Sequence, residues 1–210
     1  MTTPARIQYL KIKDDYPNEI LFFRMGDFYE TFDNDAKILS KELQIALTSR
    51  EMGKGNKIPL AGIPFHAIDN YLPQLINNGY RVAICEQTSD PKDSKGIVDR
   101  SVVRVVTAGT VIEDNLIDKN LNNFLMCLVT DDQSVGIAYI DITTCEFLTT
   151  EVPIEYLQSE IARINPKEIV VSNKSQFNFQ NQSLHIIREE HSIIPYLESA
   201  QEILKKHFQV

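Results

Sequence analysis

The order of hydrophobic and polar positions in the first half of the chain predicts strands alternating with helices. Apolar residues recur with a helical period over residues 5–14 and again from Asp33 to Ile45. Between these helices, residues 19–24 and 28–32 form two short apolar and aromatic runs that are typical of strands. Met25-Gly26-Asp27 interrupts the first run, and the second run resumes the extended pattern.

The same pattern continues to about residue 107, with polar loops at residues 51–57 and 88–99. The remaining elements predicted for the first half are strands at 47–50, 80–87 and 102–107, an extended segment with two prolines at 58–64, and a helix at 67–78. Gly79 directly follows that helix, which is a common way for a helix to end.

The second half begins with three consecutive strands and only then alternates strands with helices. Polar residues 111–122, without a strand pattern, separate the halves. The elements predicted beyond them are strands at 124–130, 135–143 and 146–151, a helix at 153–164, a strand at 168–171, a polar loop at 173–183, a strand at 184–187 and a helix at 194–208. This order predicts an α/β fold in which helices cover a sheet.

The charge of the chain is concentrated in its second half. The 210 residues are 43% apolar and carry a net charge of −8. Residues 1–112 hold 14 basic and 14 acidic residues, whereas residues 113–210 hold 7 and 15. This asymmetry predicts two domains, and it disfavours binding of nucleic acid by bulk electrostatics alone. No apolar run approaches the ~18 residues of a membrane span, and the N-terminus does not resemble a secretory signal.

Motifs for several common chemistries are missing from the sequence. There is no phosphate-binding loop, no serine-nucleophile elbow and no H-E-x-x-H zinc motif. The sequence has three cysteines, Cys85, Cys127 and Cys145. Because their number is odd and no two have C-x-x-C spacing, we expect buried, reduced thiols. His66 precedes a predicted helix, where a capping or packing role is expected.

Four acidic residues near the first strands of the second half raise the question of a nuclease. Asp131, Asp132, Asp141 and Glu146 lie in or beside these strands, and carboxylates on adjacent strands can hold two metal ions for phosphodiester hydrolysis. The alternative is that they occupy turns and solvent-facing strand positions. The Asp131-Asp132 pair has the composition of a turn, and Asp141 alternates with isoleucines, so the sequence favours this alternative.

An aromatic residue and an acid stand two positions apart just after the Met25-Gly26-Asp27 interruption. In an extended chain Phe28 and Glu30 project from the same face, with Tyr29 on the opposite face. Together they can stack on a nucleic-acid base and hydrogen-bond its edge. The alternative is a half-buried strand that carries one solvated acid.

Several sequence blocks resemble the MutS family of DNA mismatch-repair proteins. In chain order they are RMGDFYETF, LTSRE, IPLAGIPFHAIDNYL, RVAICEQ and VVRVVTAGT. The resemblance is dense over residues 5–110. It continues more weakly, through GIAYIDITTCEF and INPKEIVV, to about residue 172.

The resemblance implies a mismatch-recognition domain at residues 1–112, a linker at 113–122 and an incomplete connector domain at 123–210. The first is expected to be an α+β domain with a mixed sheet flanked by helices. The second is expected to be an RNase-H-like α/β domain without nuclease activity. The family's clamp, lever and ATPase regions lie outside this chain, which is therefore expected to have no enzymatic activity and to bind no ATP or magnesium.

For the full-length protein, the resemblance implies an ATP-gated homodimer that acts in the cytoplasm and on the nucleoid. Its expected partners are double-stranded DNA with a mismatch or small loop and a downstream mismatch-repair protein, with no role for a membrane.

Five positions match the family's DNA-contacting residues. Phe28 matches the aromatic wedge that enters the minor groove, and Glu30 matches its partner acid. Arg50 matches a basic residue near the DNA, and Met25 and Leu60 match apolar residues lining the same surface. The alternatives are core packing for Met25 and Leu60 and a solvated charge for Arg50. Tyr29 and Phe32, by contrast, are expected to be buried.

Overall fold

The chain divides into two compact units, Met1–Ile117 and Asp118–Val210, in the computed structural model. The residues described are 3–53, 55, 57–89, 97–113, 117, 121–131, 133–172, 185–189 and 197–209. The predicted loop at 173–183 and Asp132 lie outside them. Each unit has its own sheet with helices, which confirms the predicted α/β class.

The described part of the first unit contains six strands and three α-helices. In chain order they are α1 Pro4–Asp15, β1 Ile20–Met25, β2 Phe28–Phe32, α2 Asp33–Leu43, β3 Thr48–Glu51, β4 Lys57–Pro64, α3 Ile68–Asn77, β5 Val82–Gln87 and β6 Arg100–Val106. A 3-10 turn, Phe65–Ala67, precedes α3 and contains His66. These elements agree with the predicted ones to within a few residues.

The strands of the first unit form one mixed sheet in the order β3-β4-β2-β1-β5-β6. Strands β1 and β5 are parallel, and the other neighbours are antiparallel. Helices α2 and α3 bury Leu39 and Leu75 against one face, whereas Tyr9 of α1 packs on the other. The sheet therefore has apolar cores on both faces, and its central strands are covered on both sides.

Helix α1 is fixed by a capped start and by one aromatic side chain. Thr3 Oγ1 accepts a hydrogen bond from the Arg6 amide, and Pro4 occupies the first turn, where its missing N–H costs nothing. Tyr9 is 1% exposed, and its ring meets those of Phe32 and Phe23 edge-to-face at centroid distances of 4.8 and 5.5 Å. The helix thereby covers one face beside the β1–β2 hairpin.

The second unit is built around a separate five-stranded sheet. Its described elements are β7 Phe124–Thr130, β8 Ser134–Asp141, β9 Glu146–Pro153, α4 Leu157–Ile164, β10 Glu168–Ser172, β11 His185–Glu189 and α5 Leu197–Phe208. The strand order is β9-β8-β7-β10-β11, antiparallel from β7 to β9 and parallel from β7 to β11. The predicted meander of three strands is confirmed. Among the described residues, no helix is long and apolar enough to cross a membrane.

The cysteines differ in their surroundings. Cys85 is buried in the first sheet, and burial raises the pKa of its thiol to about 12. Cys127 is half-buried, and burial likewise raises the pKa of its thiol. The prediction of burial is wrong for Cys145, which is exposed in the turn between β8 and β9 with φ of +60°. All three thiols are free.

Asp141, at the end of β8, is a buried structural acid. It is 1% exposed, so the expectation that it faces solvent is wrong. Its carboxylate accepts hydrogen bonds from the Asn123 amide at 2.8 Å and from the amide and hydroxyl of Thr143 at 2.8 and 2.7 Å. Burial raises the pKa of Asp141, but these bonds outweigh that effect and leave the pKa below its usual value. The carboxylate therefore links, through hydrogen bonds, the residue that precedes β7 to the turn that follows β8.

Two phenylalanines of β2 should differ sharply in their contribution to stability. Phe32→Ala is expected to lower the free energy of unfolding by about 3–5 kcal/mol, because Phe32 is 1% exposed and packs against Tyr9. Phe28→Ala is expected to cost less than about 1 kcal/mol, because Phe28 is 47% exposed. Urea unfolding followed by circular dichroism measures both. A larger loss for Phe28→Ala than for Phe32→Ala would contradict the assignment.

Asp141 should stabilise the second unit in a pH-dependent way. Because its pKa is lowered in the folded state, its contribution is complete above its unfolded value of about 4 and is lost as the pH falls through the folded value. Asp141→Asn should cost about 1–3 kcal/mol at pH 7, and the difference from the wild type should shrink on acidification. Urea unfolding at pH 7 and at low pH tests this. Asp131→Asn, in an exposed turn, is the control, and an equal effect of the two changes would refute the buried role.

Candidate nucleic-acid interface

Phe28 begins β2 immediately after a two-residue turn. Met25 pairs with Phe28 across this turn, and Gly26 occupies its first central position with φ of +60°. This is the type II′ pattern, which joins antiparallel strands tightly and favours glycine because a side chain is strained at that φ. The hairpin therefore presents Phe28 at the end of the strand.

Phe28 is the exposed residue of an otherwise buried strand. Its side chain is 47% exposed, whereas the rest of β2 is buried, including Tyr29 and Phe32 at 4% and 1%. The predicted burial of Tyr29 and Phe32 is confirmed. The Phe28 ring is therefore available to contact a partner, while the strand that carries it is held by its buried neighbours.

The register places Met25, Phe28 and Glu30 on one face of the sheet. Side chains two apart on a strand share a face, as do directly opposed residues of an antiparallel pair. Phe28 and Glu30 are two apart on β2, and Met25 of β1 lies opposite Phe28. Met25 is half-buried and packs against the core of this face, which includes Phe23.

Leu60 and Arg50 lie on the same face of the sheet. Leu60 is on β4, which pairs with β2, and Arg50 is on β3, which pairs with β4. Phe32, two residues after Glu30, lies opposite Leu60 of β4, and Leu60 in turn lies opposite Thr48 of β3. Arg50 is two residues after Thr48 and so returns to this face. Leu60 is half-buried and packs on the core. The structure thus brings all five sequence-predicted site residues to one face of one sheet.

Glu30 is buried and paired with Arg50. Arg50 Nη1 donates a hydrogen bond to Glu30 Oε2 at 2.5 Å. The Glu30 side chain is 11% exposed and that of Arg50 is 42% exposed. The alternative of a solvated acid is therefore wrong for Glu30. Burial raises the pKa of the Glu30 carboxyl, and the charge and hydrogen bond of Arg50 only partly oppose this effect.

Gly62 allows the close approach of β4 to Glu30. It lies directly opposite Glu30, and an added Cβ would stand 2.8 Å from the Tyr29 carbonyl oxygen and 3.6 Å from Glu30 Cγ. The first distance is too short for any side chain. The absence of a side chain at this position thus allows β4 to pair closely with β2 beside Glu30.

Arg24 braces the turn from the opposite face, and the sequence analysis did not identify it. Its Nε donates to the Gly26 carbonyl at 2.5 Å, and its guanidinium lies 3.5 Å from the centre of the Phe65 ring and 3.4 Å from the Glu86 carboxylate. The Phe65 amide donates to the Asp27 carbonyl at 2.9 Å. The signal in the sequence was a charged residue within an otherwise apolar run. Phe65 and Glu86 are distant from Arg24 in the chain, so the sequence did not indicate these contacts.

A second arginine supports the same hairpin. Arg100 Nε donates to the Arg24 carbonyl at 2.6 Å, just beyond the point where the parallel pairing of β1 and β5 ends. Its guanidinium also lies 4.9 Å from the centre of the Phe23 ring and donates to Gln8 Oε1 at 3.0 Å. Arg24 and Arg100 together satisfy two carbonyls near the turn and so restrict the position of Phe28.

The structure gives no support to the nuclease alternative. Asp131 accepts hydrogen bonds from the amides of its own turn, and Glu146 accepts one from Asn122 Nδ2 at 2.8 Å. Asp141 is occupied by its buried bonds. Within the part of the chain that the structure describes, no group of three or more histidine, cysteine or acidic residues is arranged to hold a metal ion.

Comparisons with known proteins agree with the division into two domains. The family model "MutS domain I" matches residues 3–115, and the model "MutS domain II" matches residues 123–210. Two proteins named DNA mismatch repair protein MutS, from Dehalococcoides mccartyi and Syntrophomonas wolfei, are each 52% identical to this chain, over 99% and 81% of it. The protein of that name from Methanosarcina barkeri is 45% identical over 100% of the chain.

The chain spans about a quarter of the length of these relatives, between 20% and 26%. Both domain models match in the chain order of the two units, and the first of them covers more than half of the sequence. The chain therefore belongs to the MutS family of DNA mismatch-repair proteins, and its two parts match that family's domains I and II.

Proposed function

We propose that domain I binds mispaired double-stranded DNA by inserting Phe28 between bases from the minor groove. The observation that carries this proposal is an exposed aromatic ring at the start of β2, next to a braced turn and followed along the strand by buried residues only. Met25 lies opposite Phe28, Leu60 lies farther along the same face opposite Phe32, and Arg50 supplies a positive charge on that face. Residues 1–112 form the recognition domain in this proposal, 113–122 the linker and 123–210 part of the connector domain.

An aromatic wedge suits a detector that must respond to many different mispairs. Inserting an apolar side chain unstacks a base step and kinks the duplex, at a cost of a few kcal/mol. A mispaired step is already weakened, so the same deformation costs less there. Stacking of Phe28 on the exposed base returns roughly 1–3 kcal/mol. The difference in deformation cost between sites provides the specificity.

Glu30 contributes discrimination rather than affinity in this proposal. An acid close to DNA phosphates weakens binding to every duplex, matched or not. At a mismatch the displaced base offers the carboxyl a hydrogen bond that a paired base does not. Burial already raises the pKa of Glu30, and the negative potential of DNA raises it further, which favours a protonated carboxyl that donates to the base.

The full-length protein, in this proposal, is an ATP-gated homodimer. ATP and magnesium act in a region outside this chain, and nucleotide binding controls release from the mismatch and recruitment of a downstream repair protein. Mismatches and small loops are its DNA targets, in the cytoplasm and on the nucleoid. Domains I and II by themselves catalyse no reaction.

Phe28→Ala should abolish the preference for mismatched DNA. We expect it to weaken binding of a G·T-mismatched duplex by about 1–3 kcal/mol and to leave binding of the matched duplex nearly unchanged. Fluorescence anisotropy at low salt measures both affinities. Leu47→Ala removes an equally exposed side chain outside the site and is the control. A mismatch preference that survives Phe28→Ala would contradict the wedge.

Glu30→Gln should tighten binding to the matched duplex and narrow the mismatch preference. The change removes a negative charge near the phosphates but keeps the size of the side chain. The same anisotropy titrations, with matched and G·T duplexes, give the ratio of the two affinities. An unchanged affinity for the matched duplex would show that Glu30 is not a source of discrimination.

A further inference from the structure

We propose that Arg50 exchanges partners during mismatch recognition. It pairs with Glu30 in the free protein and on matched DNA, and it moves to a backbone phosphate only when a displaced base takes over the Glu30 carboxyl. This inference rests on the proposed function, because it requires that Glu30 contacts the mispaired base. It makes Arg50 a specificity-determining residue rather than a general phosphate contact.

The two members of the pair differ in their freedom to move. Glu30 lies on β2, a central strand, with its side chain 11% exposed. Arg50 lies on β3, the edge strand of the sheet, and its side chain is 42% exposed. An arginine with a long side chain at an edge can turn outwards to a phosphate, whereas the carboxylate cannot follow it. The exchange therefore consists of a movement of Arg50 alone.

On matched DNA the exchange is unfavourable. If Arg50 left, the Glu30 carboxylate would remain buried without a charge partner, and removing one member of a buried pair costs far more than an exposed ion pair returns. A phosphate contact in solvent is an exposed pair of this kind. Glu30 therefore retains Arg50 when no base is displaced, and the positive charge is not available to the DNA.

At a mismatch the displaced base changes this balance. The Glu30 carboxyl takes up a proton from solvent and donates a hydrogen bond to the base edge instead of accepting one from Arg50 Nη1, so no buried charge is left without a partner. The released guanidinium then reaches a phosphate and displaces a condensed counterion. The mismatch complex should therefore contain one more phosphate contact than the matched complex formed by the same protein.

The salt dependence of binding counts such contacts. Each phosphate contact on B-DNA adds about −0.9 to the slope of log K against log salt concentration. For the wild-type chain, the slope for a G·T duplex should thus be steeper than that for the matched duplex by about 0.9. Over a fourfold increase in salt, mismatch affinity should fall about 3.5-fold more than matched affinity. Anisotropy titrations at several low salt concentrations measure both slopes.

Three variants identify the source of the difference. Glu30→Gln frees Arg50 on every duplex, so both slopes should be steep and equal. Arg50→Gln removes the contact, so both should be shallow and equal. Lys57→Gln removes a positive charge from an exposed position on the neighbouring strand β4 and should preserve the difference. A thermal melt of each variant verifies that it is folded.

Two outcomes separate failure of the exchange from failure of the proposed function. Parallel salt slopes for a wild-type chain that still prefers the mismatch through Phe28 would refute the exchange and leave the wedge intact. Glu30→Gln can also be combined with Arg50→Gln. If Glu30→Gln tightened binding to the matched duplex equally in the wild-type chain and in the Arg50→Gln chain, the exchange would likewise be refuted and the wedge left intact. A wild-type chain without any Phe28-dependent preference would instead refute the proposed function, and the exchange with it.

Discussion

Burial of the β1–β2 hairpin on both faces of the first sheet is the interaction on which the candidate site depends. Phe22 and Tyr29 belong to the core on one face, and Phe23 and Phe32 to the core on the other. A shift of register by one residue would exchange these two sets and place the wrong side chains in both cores. Because the register is fixed in this way, Phe28 lies at the exposed end of the strand without contributing to the core.

The same burial determines the electrostatics of the site. A carboxylate on a covered central strand loses most of its hydration, and such a group is retained in proteins when it has a charge partner. Arg50 supplies that partner from the edge strand, and Gly62 allows β4 to approach the Glu30 backbone closely. The site therefore has little net charge in the free protein, although it contains two ionisable groups. In the proposed exchange, its response to DNA depends on which partner each group keeps.

The acidic residues of the second unit illustrate how buried charge can serve structure alone. Asp141 lies directly opposite Glu146 in the register of β8 and β9. Two carboxylates on adjacent strands resemble part of a metal-binding site when only the sequence is considered. The oxygens of Asp141 are nevertheless used by amide and hydroxyl donors of the neighbouring loops. Since backbone donors need to be satisfied where strands end inside a core, a carboxylate at this position is explained without any ligand.

The sequence by itself determined the order of elements, the two mixed α/β units, the burial of Tyr29 and Phe32, and the family, because periodicity and local motifs are properties of neighbouring residues. It did not indicate the Glu30–Arg50 pair, the bracing of the turn by Arg24 and Arg100, the burial of Asp141 or the exposure of Cys145. Arg50 is 20 residues from Glu30 in the chain, and Arg100 is 76 from Arg24. Only the tertiary structure decided these features, since strand pairing brings distant side chains together and burial then sets the cost of leaving them unpaired.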